Sequence, residues 1–280
     1  MSHKFRFTKE SLIRMKNFVA GEKDPKLPPE EQPKEETPAE AQNEGPITVV
    51  ALTDVGKVRA SNQDSLIQGE RLWGVADGMG GHNGGETASS EASKGLVNLL
   101  SGKEPSLDAM RTGVKAVNRR IFIQQQEDEK LAGMGTTLTA LWFSEHFVYA
   151  GHVGDSRAYL LREGVFRQVT EDHSLVEELV RSGHLTREQA ENHPMRNVIT
   201  RAVGTEEGVD VDLMVEDRRK GDIWLVCSDG LHGLVSDKQM ESILSSNKPK
   251  KAGRLLMDAA LNAGGRDNIS LVILVDKEGG

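Results

Sequence analysis

The chain has one cysteine in 280 residues, Cys227. A lone thiol excludes an intramolecular disulfide framework and suits a reducing compartment. Cys227 sits in an apolar run, where a buried, inert side chain is expected rather than a nucleophile. Long hydrophobic runs are also missing. None approaches the ~18 residues of a membrane span. The first residues are charged and no apolar signal core follows, so a cytoplasmic rather than a secreted protein is expected. A basic excess is absent too: 43 acidic against 35 basic residues give a net charge of −8. That argues against general nucleic-acid binding and leaves the surplus carboxylates that metal sites need. The length allows one large domain or two small ones with a sizeable core.

What is present divides the chain. Residues 1–20 mix Lys4, Arg6, Lys9, Arg14 and Lys16 with apolar side chains, and Leu12, Met15 and Val19 fall on one helical face. This segment reads either as a loose terminus or as a docking element for a partner or an anionic surface. Residues 21–46 hold most of the prolines and several glutamates. They have too little apolar surface to offset ordering entropy, and read as a disordered tether. From residue 47 the pattern is globular. Strands are expected at 47–53, 72–76, 135–142, 147–153, 157–161, 165–169, 209–215, 223–227 and 269–275. Helices are expected at 86–100, 106–126, 237–244 and 249–263, with two short helical patterns in 173–204. Strands dominate the middle and helix pairs flank them, an α+β plan.

The stretch Leu72-Trp73-Gly74-Val75-Ala76-Asp77-Gly78-Met79-Gly80-Gly81-His82 stands out. A buried strand runs into an Asp and then a glycine loop, which is either a turn or a place for a metal or phosphate. Similar aspartates recur. Asp155 and Asp229 follow apolar runs, Asp267 precedes the last strand, and Asp64 follows Asn62-Gln63. Each alone reads as a turn or cap residue. Clustered at one end of a sheet they would repel one another unless cations lay between them. Oxygen ligands without a cysteine or histidine cluster select Mg²⁺ or Mn²⁺ rather than zinc.

Seven segments then resemble, in order, the motifs of the metal-dependent type 2C protein phosphatases, in their compact bacterial version. They are Arg59-Ala60-Ser61-Asn62-Gln63-Asp64, Asp77-Gly78-Met79-Gly80-Gly81, Gly135-Thr136-Thr137, Gly154-Asp155-Ser156-Arg157, Asp172-His173-Ser174, Cys227-Ser228-Asp229-Gly230 and Arg266-Asp267-Asn268. The resemblance covers residues 47–276. It implies a four-layer αββα sandwich, with two central antiparallel β-sheets flanked by helices, and two metals at one end. It further implies that Asp77 bridges both metals, that the Gly78 carbonyl binds one, and that Asp229 and Asp267 complete the other. Asp64 would bind a metal directly or orient metal-bound water, Asp155 with Asp229 would form a weaker third site, and Arg59 would hold the substrate phosphate. The implied reaction is hydrolysis of phosphoserine and phosphothreonine in proteins by a water or hydroxide bridging two Mn²⁺ or Mg²⁺ ions, opposing a serine/threonine kinase. Residues 174–204 correspond to a flap that affects substrate choice.

One departure is clear. Some members carry a His directly after the Asp-Gly as proton donor; here that position is Met79. His82, in the same loop, is the candidate donor, against a plain loop histidine with a water giving the proton. Two other classes stay open. One is a phosphatase-like scaffold that binds phosphoproteins through the N-terminal arm and flap. The other is a metal-dependent nuclease, which the missing basic surface disfavours.

Overall fold

The computed structural model describes residues 45–80, 84–191 and 193–280. The docking element and nearly all of the tether expected before residue 47 lie outside the described residues, as does His82.

In chain order the strands are β1 (Ile47–Asp54), β2 (Asp64–Gln68), β3 (Leu72–Met79), β4 (Gly135–Thr136), β5 (Leu138–Phe143), β6 (Phe147–Val153), β7 (Arg157–Arg162), β8 (Val165–Gln168), β9 (Asp212–Asp217), β10 (Ile223–Cys227) and β11 (Ile269–Asp276). The helices are α1 (Gly84–Leu100), α2 (Leu107–Glu127), α3 (Leu175–Arg181), α4 (Arg187–Glu191), α5 (Asp229–His232), α6 (Asp237–Ser246) and α7 (Pro249–Asn262). One sheet runs β1-β11-β10-β7-β8; the other runs β2-β3-β5-β6-β9, with β4 paired to β3. The pairings are antiparallel.

Strand periodicity makes the layers. In β11, Ile269, Leu271 and Ile273 point to one face, packing with Met240, Leu244, Leu256 and Ala260 of α6 and α7. The alternate Val272 and Leu274, with Trp224 of the same sheet, face the other sheet and meet Val75, Leu141 and Phe143. On the second sheet, Ile67, Leu72, Ala76, Leu138 and Ala140 cover α1 and α2 through Ala88, Leu96, Met110 and Val117. Three apolar layers between four tiers give the αββα sandwich that the resemblance implied.

The boundaries differ informatively. β2 was not expected, because Asp64–Gln68 carries only two apolar residues, too few to show a period. β3 runs on to Met79, so Asp77 and Gly78 lie inside a paired strand rather than in the loop after it. The expected strand 135–142 breaks at Thr137 into β4 and β5.

Candidate metal centre

At one end of the sandwich the chemistry of the inter-sheet layer changes. Trp73 and Val75 of β3 belong to that apolar layer, and the next residue on the same face is Asp77. Leu66 of β2 belongs to it too, and the residue before it on that face is Asp64. Register places Asp64 directly opposite Asp77. Like charges at such a position stand about 5 Å apart and repel. From the other sheet, Trp224 and Val226 are followed on their face by Ser228, and Val272 is preceded by Ser270. The Ser228 hydroxyl donates to Asp64 Oδ2 at 2.8 Å and accepts the Ser270 N–H at 3.0 Å.

Asp229 opens α5, immediately after Ser228. A Cβ on Gly230 would run into the Asn268 carbonyl, so the Asp229 and Asp267 turns lie against each other. The Asn268 side chain ties this region to the Arg59 loop. It donates to the Val55 and Ser61 carbonyls at 3.0 and 2.9 Å and accepts the Gln63 N–H at 2.8 Å. Asp155 is buried between β6 and β7, and its carbonyl accepts from His232 Nε2 at 3.0 Å. Asp77 is held through its backbone. Its N–H donates to Thr137 Oγ1 at 2.9 Å, and its carbonyl accepts from Thr136 Oγ1 at 2.9 Å and Thr137 N at 2.8 Å. The Thr137 hydroxyl in turn pairs with that of Ser156 at 2.8 Å.

Burial and mutual repulsion keep these acids from ionising readily. Asp64 is pushed up to about 6, mainly by burial. Asp229 is pushed up to about 7 by burial and then by Asp267 and Asp64. Asp77 rises well above the usual carboxylate range through burial, Asp64 and Asp229, and Asp155 through burial and Asp229. Asp64 Oδ1 and Asp229 Oδ1 are buried without a hydrogen-bond partner. Orphaned carboxylate oxygens of this kind suit hard divalent cations, so the donor set fits Mg²⁺ or Mn²⁺. Among the described residues no three acidic, histidine or cysteine side chains already converge into a closed cage. The acids form an open group instead.

Asp77, Asp155 and Asp229 thus lie close enough to disfavour one another's charge, and Asp64 bears on Asp77 and Asp229. Arg59 and Asp267 pair with each other, NH2 to Oδ2 at 2.7 Å, at a half-exposed position. Burial works against the Arg59 charge, but the bond to Asp267 outweighs it and holds the guanidinium pKa above its ordinary value. Gly78 has a packing reason of its own: a Cβ there would run into the Gly85 carbonyl at the start of α1. Sequence reasoning assigned no role to Thr137, Ser156 or Ser228. Their presence inside the motifs was the available signal.

A second polar network braces the segment that follows β8. Arg157 grips Asp172 through Nε and NH2, with contacts of 2.7–3.0 Å. Gly154 N–H donates to His173 Nδ1 at 2.9 Å, and His173 Nε2 lies 3.1 Å from Asp212 Oδ2 and 2.9 Å from Arg201 NH1. Arg201 also reaches Asp212, at 2.7 Å. His173 and Arg201 therefore anchor this region.

The protein phosphatase 2C family matches the chain over residues 57–258. The chain belongs to this family. Among phosphatase 2C relatives, the serine/threonine protein phosphatase PstP of Mycobacterium tuberculosis is 41% identical over 226 residues, covering 80% of this chain and 44% of its own length. The serine/threonine phosphatase stp of Listeria monocytogenes is 39% identical over 239 residues, covering 81% of this chain and 94% of its own length. This chain therefore spans less than half of the mycobacterial relative and nearly all of the listerial one. A crystal structure of the PstP catalytic domain in complex with two manganese ions superimposes with a TM-score of 0.77 at 38% identity, over 83% of this chain and 99% of that one. Among the described residues no helix is long and apolar enough to cross a membrane.

Proposed function

We propose that the protein is a metal-dependent protein serine/threonine phosphatase, a hydrolase acting on phosphoserine and phosphothreonine and opposing a serine/threonine kinase. The observation that carries this is the group of buried acids at one end of the sandwich, which have one another for neighbours and include two orphaned oxygens. Family membership and the manganese-bound relative support it.

In this reading Asp77, the Gly78 carbonyl, Asp229 and Asp267 would hold two Mn²⁺ or Mg²⁺ ions. Asp64 would bind a metal directly or orient its water, and Asp155 with Asp229 would hold a weaker third ion. Bound there, the cations supply a water acidic enough to ionise near neutral pH and offset charge at phosphorus. The chain's own groups do the rest. Arg59, already at the mouth of the site, presents a planar fork to the phosphate oxygens. Thr136 and Thr137 fix the Asp77 backbone. Cys227 is buried, and burial pushes its thiol far above its usual range. No thiolate is then available to attack, which favours direct attack by water. Residues 47–276 make the catalytic domain, and residues 174–204 form a flap that affects substrate choice.

The test is hydrolysis of a phosphothreonine peptide in Mn²⁺, comparing wild type with Asp229→Asn. Turnover by the wild type, abolished by a chelator and by the substitution, is expected. An inactive wild type contradicts the reading and favours the scaffold.

A further inference from the structure

We infer that the loop carrying Arg59 has a second recognition surface: Lys57 and Arg266, with Val58 beside them, form a subsite for a further anionic group on the substrate. That group is a carboxylate or a second phosphate close to the scissile one. The inference rests on the phosphatase reading above.

The loop is tied down at several points. Gly56 takes a φ of +79°, and its N–H donates to Asp54 Oδ1 at 2.7 Å. Lys57 N–H donates to the Gly265 carbonyl at 2.7 Å. Asn268 clamps the carbonyls of Val55 and Ser61 at 3.0 and 2.9 Å, one on each side of residues 56–60. Looseness therefore does not account for what the loop exposes. Val58 is 68% exposed, more than any other large apolar side chain among the described residues. It stands between Lys57 and Arg59.

Lys57 and Arg266 stem from adjoining backbone. The bond from Lys57 to Gly265 sets the loop against the Gly264-Gly265 turn that leads into Arg266. Lys57 Cγ lies 3.3 Å from where a Cβ on Gly265 would be, and Arg266 Cγ lies 3.6 Å from the same point on Gly264. Both side chains are exposed, and neither has an ion-pair partner among the described residues. In a chain of net charge −8, two unpaired cations beside an acidic centre run against the general balance. Arg59, two residues from Lys57, is already engaged with Asp267. A phosphate drawn to Arg59 would leave the neighbouring part of the peptide against Val58, with Lys57 and Arg266 in reach of an anion. Exposed cations at a site mouth also steer anionic ligands toward it.

The experiment uses the full-length protein with Mn²⁺ and a set of phosphothreonine peptides of one length. One has alanine flanks, a series carries a single glutamate at each of the two positions on either side, and one carries a second phosphothreonine. The readout is the ratio of kcat/KM on each anionic peptide to that on the neutral one, with p-nitrophenyl phosphate as a control for chemistry. We expect at least one flanking position to give a ratio of about three to ten, from two exposed charge contacts. The gain should lie in KM and shrink at high salt. The glutamate and phosphate arms tell which anion is preferred. In Lys57→Ala/Arg266→Ala the ratio falls to about one, and in Lys57→Glu/Arg266→Glu it inverts. Equal turnover of all peptides by wild type, or a preference that survives in both double variants, overturns the subsite while leaving the phosphatase reading intact. No turnover of any substrate, the control included, overturns that reading and the subsite with it.

Discussion

The two ends of the sandwich handle buried charge in opposite ways. Strand β10 is preceded by Asp222, which is gripped by Arg162 at 2.7 Å, and is followed by Ser228 and the unpaired Asp229. Strand β11 is preceded by Asp267 and ends in Asp276, which is held by Arg218 at 2.8 Å with both side chains buried. At the end marked by Asp222 and Asp276, each buried carboxylate has its own guanidinium. Despite burial, the bond to Arg218 holds Asp276 below its usual range. At the other end, Asp64, Asp77 and Asp229 have chiefly each other, and all three are raised. An arginine partner makes a buried acid a structural part of the fold. Acids left without one require positive charge from outside, and that is the physical basis for reading this end as a metal centre.

The comparison can be broken at either end. The largest effect on stability is expected at the paired end. Asp276→Ala strands the buried Arg218 guanidinium and should cost about 3–5 kcal/mol in chemical denaturation. Asp229→Asn at the unpaired end should do the reverse. Activity should fall at least about 100-fold, because a ligand is lost, while the metal-free protein stays as stable as wild type or gains stability through relief of repulsion. A large loss of stability there would equate the two ends.

The pH dependence sharpens the same contrast. Asp64 and Asp229 have folded values of about 6 and 7, above the ~3.9 of an unfolded aspartate. Their protonated forms favour the fold, so metal-free stability should be lost as pH rises from about 4 to 7. Asp276 and Asp172 are lowered. Their contribution is present above the unfolded value and lost as pH falls through the folded one. Thermal unfolding in chelator across pH should show both limbs, and Asp229→Asn should flatten only the first. Because cations compete with protons for these oxygens, Mn²⁺ affinity should climb over the same rise in pH. The smallest effect is expected from Ser228→Ala, which removes the hydroxyl donated to Asp64 Oδ2. The loss should be about 1 kcal/mol, with the rise in Mn²⁺ affinity displaced to higher pH.

Much of this was legible in the chain because strand alternation is local. β10 and β6 fall on the expected residues, and α2 lies within one residue of the helix expected over 106–126, with Ser106 as its cap. Asp77, Asp155 and Asp229 were legible together because each follows an apolar run. What escaped depends on contacts far apart in sequence. β2 has too few apolar residues to declare itself and gains its place by pairing with β3. The Ser228–Asp64 bond spans 164 residues and the Arg59–Asp267 pair 208, and no spacing announces either. Gly78 was read as serving a cation. The contact with Gly85 shows that helix packing alone already requires the missing side chain.

The central claim is that the unpaired acids form a cation site. It is tested most directly by calorimetric titration of Mn²⁺ into the chelator-stripped full-length protein, wild type and Asp77→Asn. Saturable binding of two ions by wild type, weakened at least about 100-fold in the variant, is the predicted result. An absence of saturable binding, or equal binding by both proteins, would contradict it.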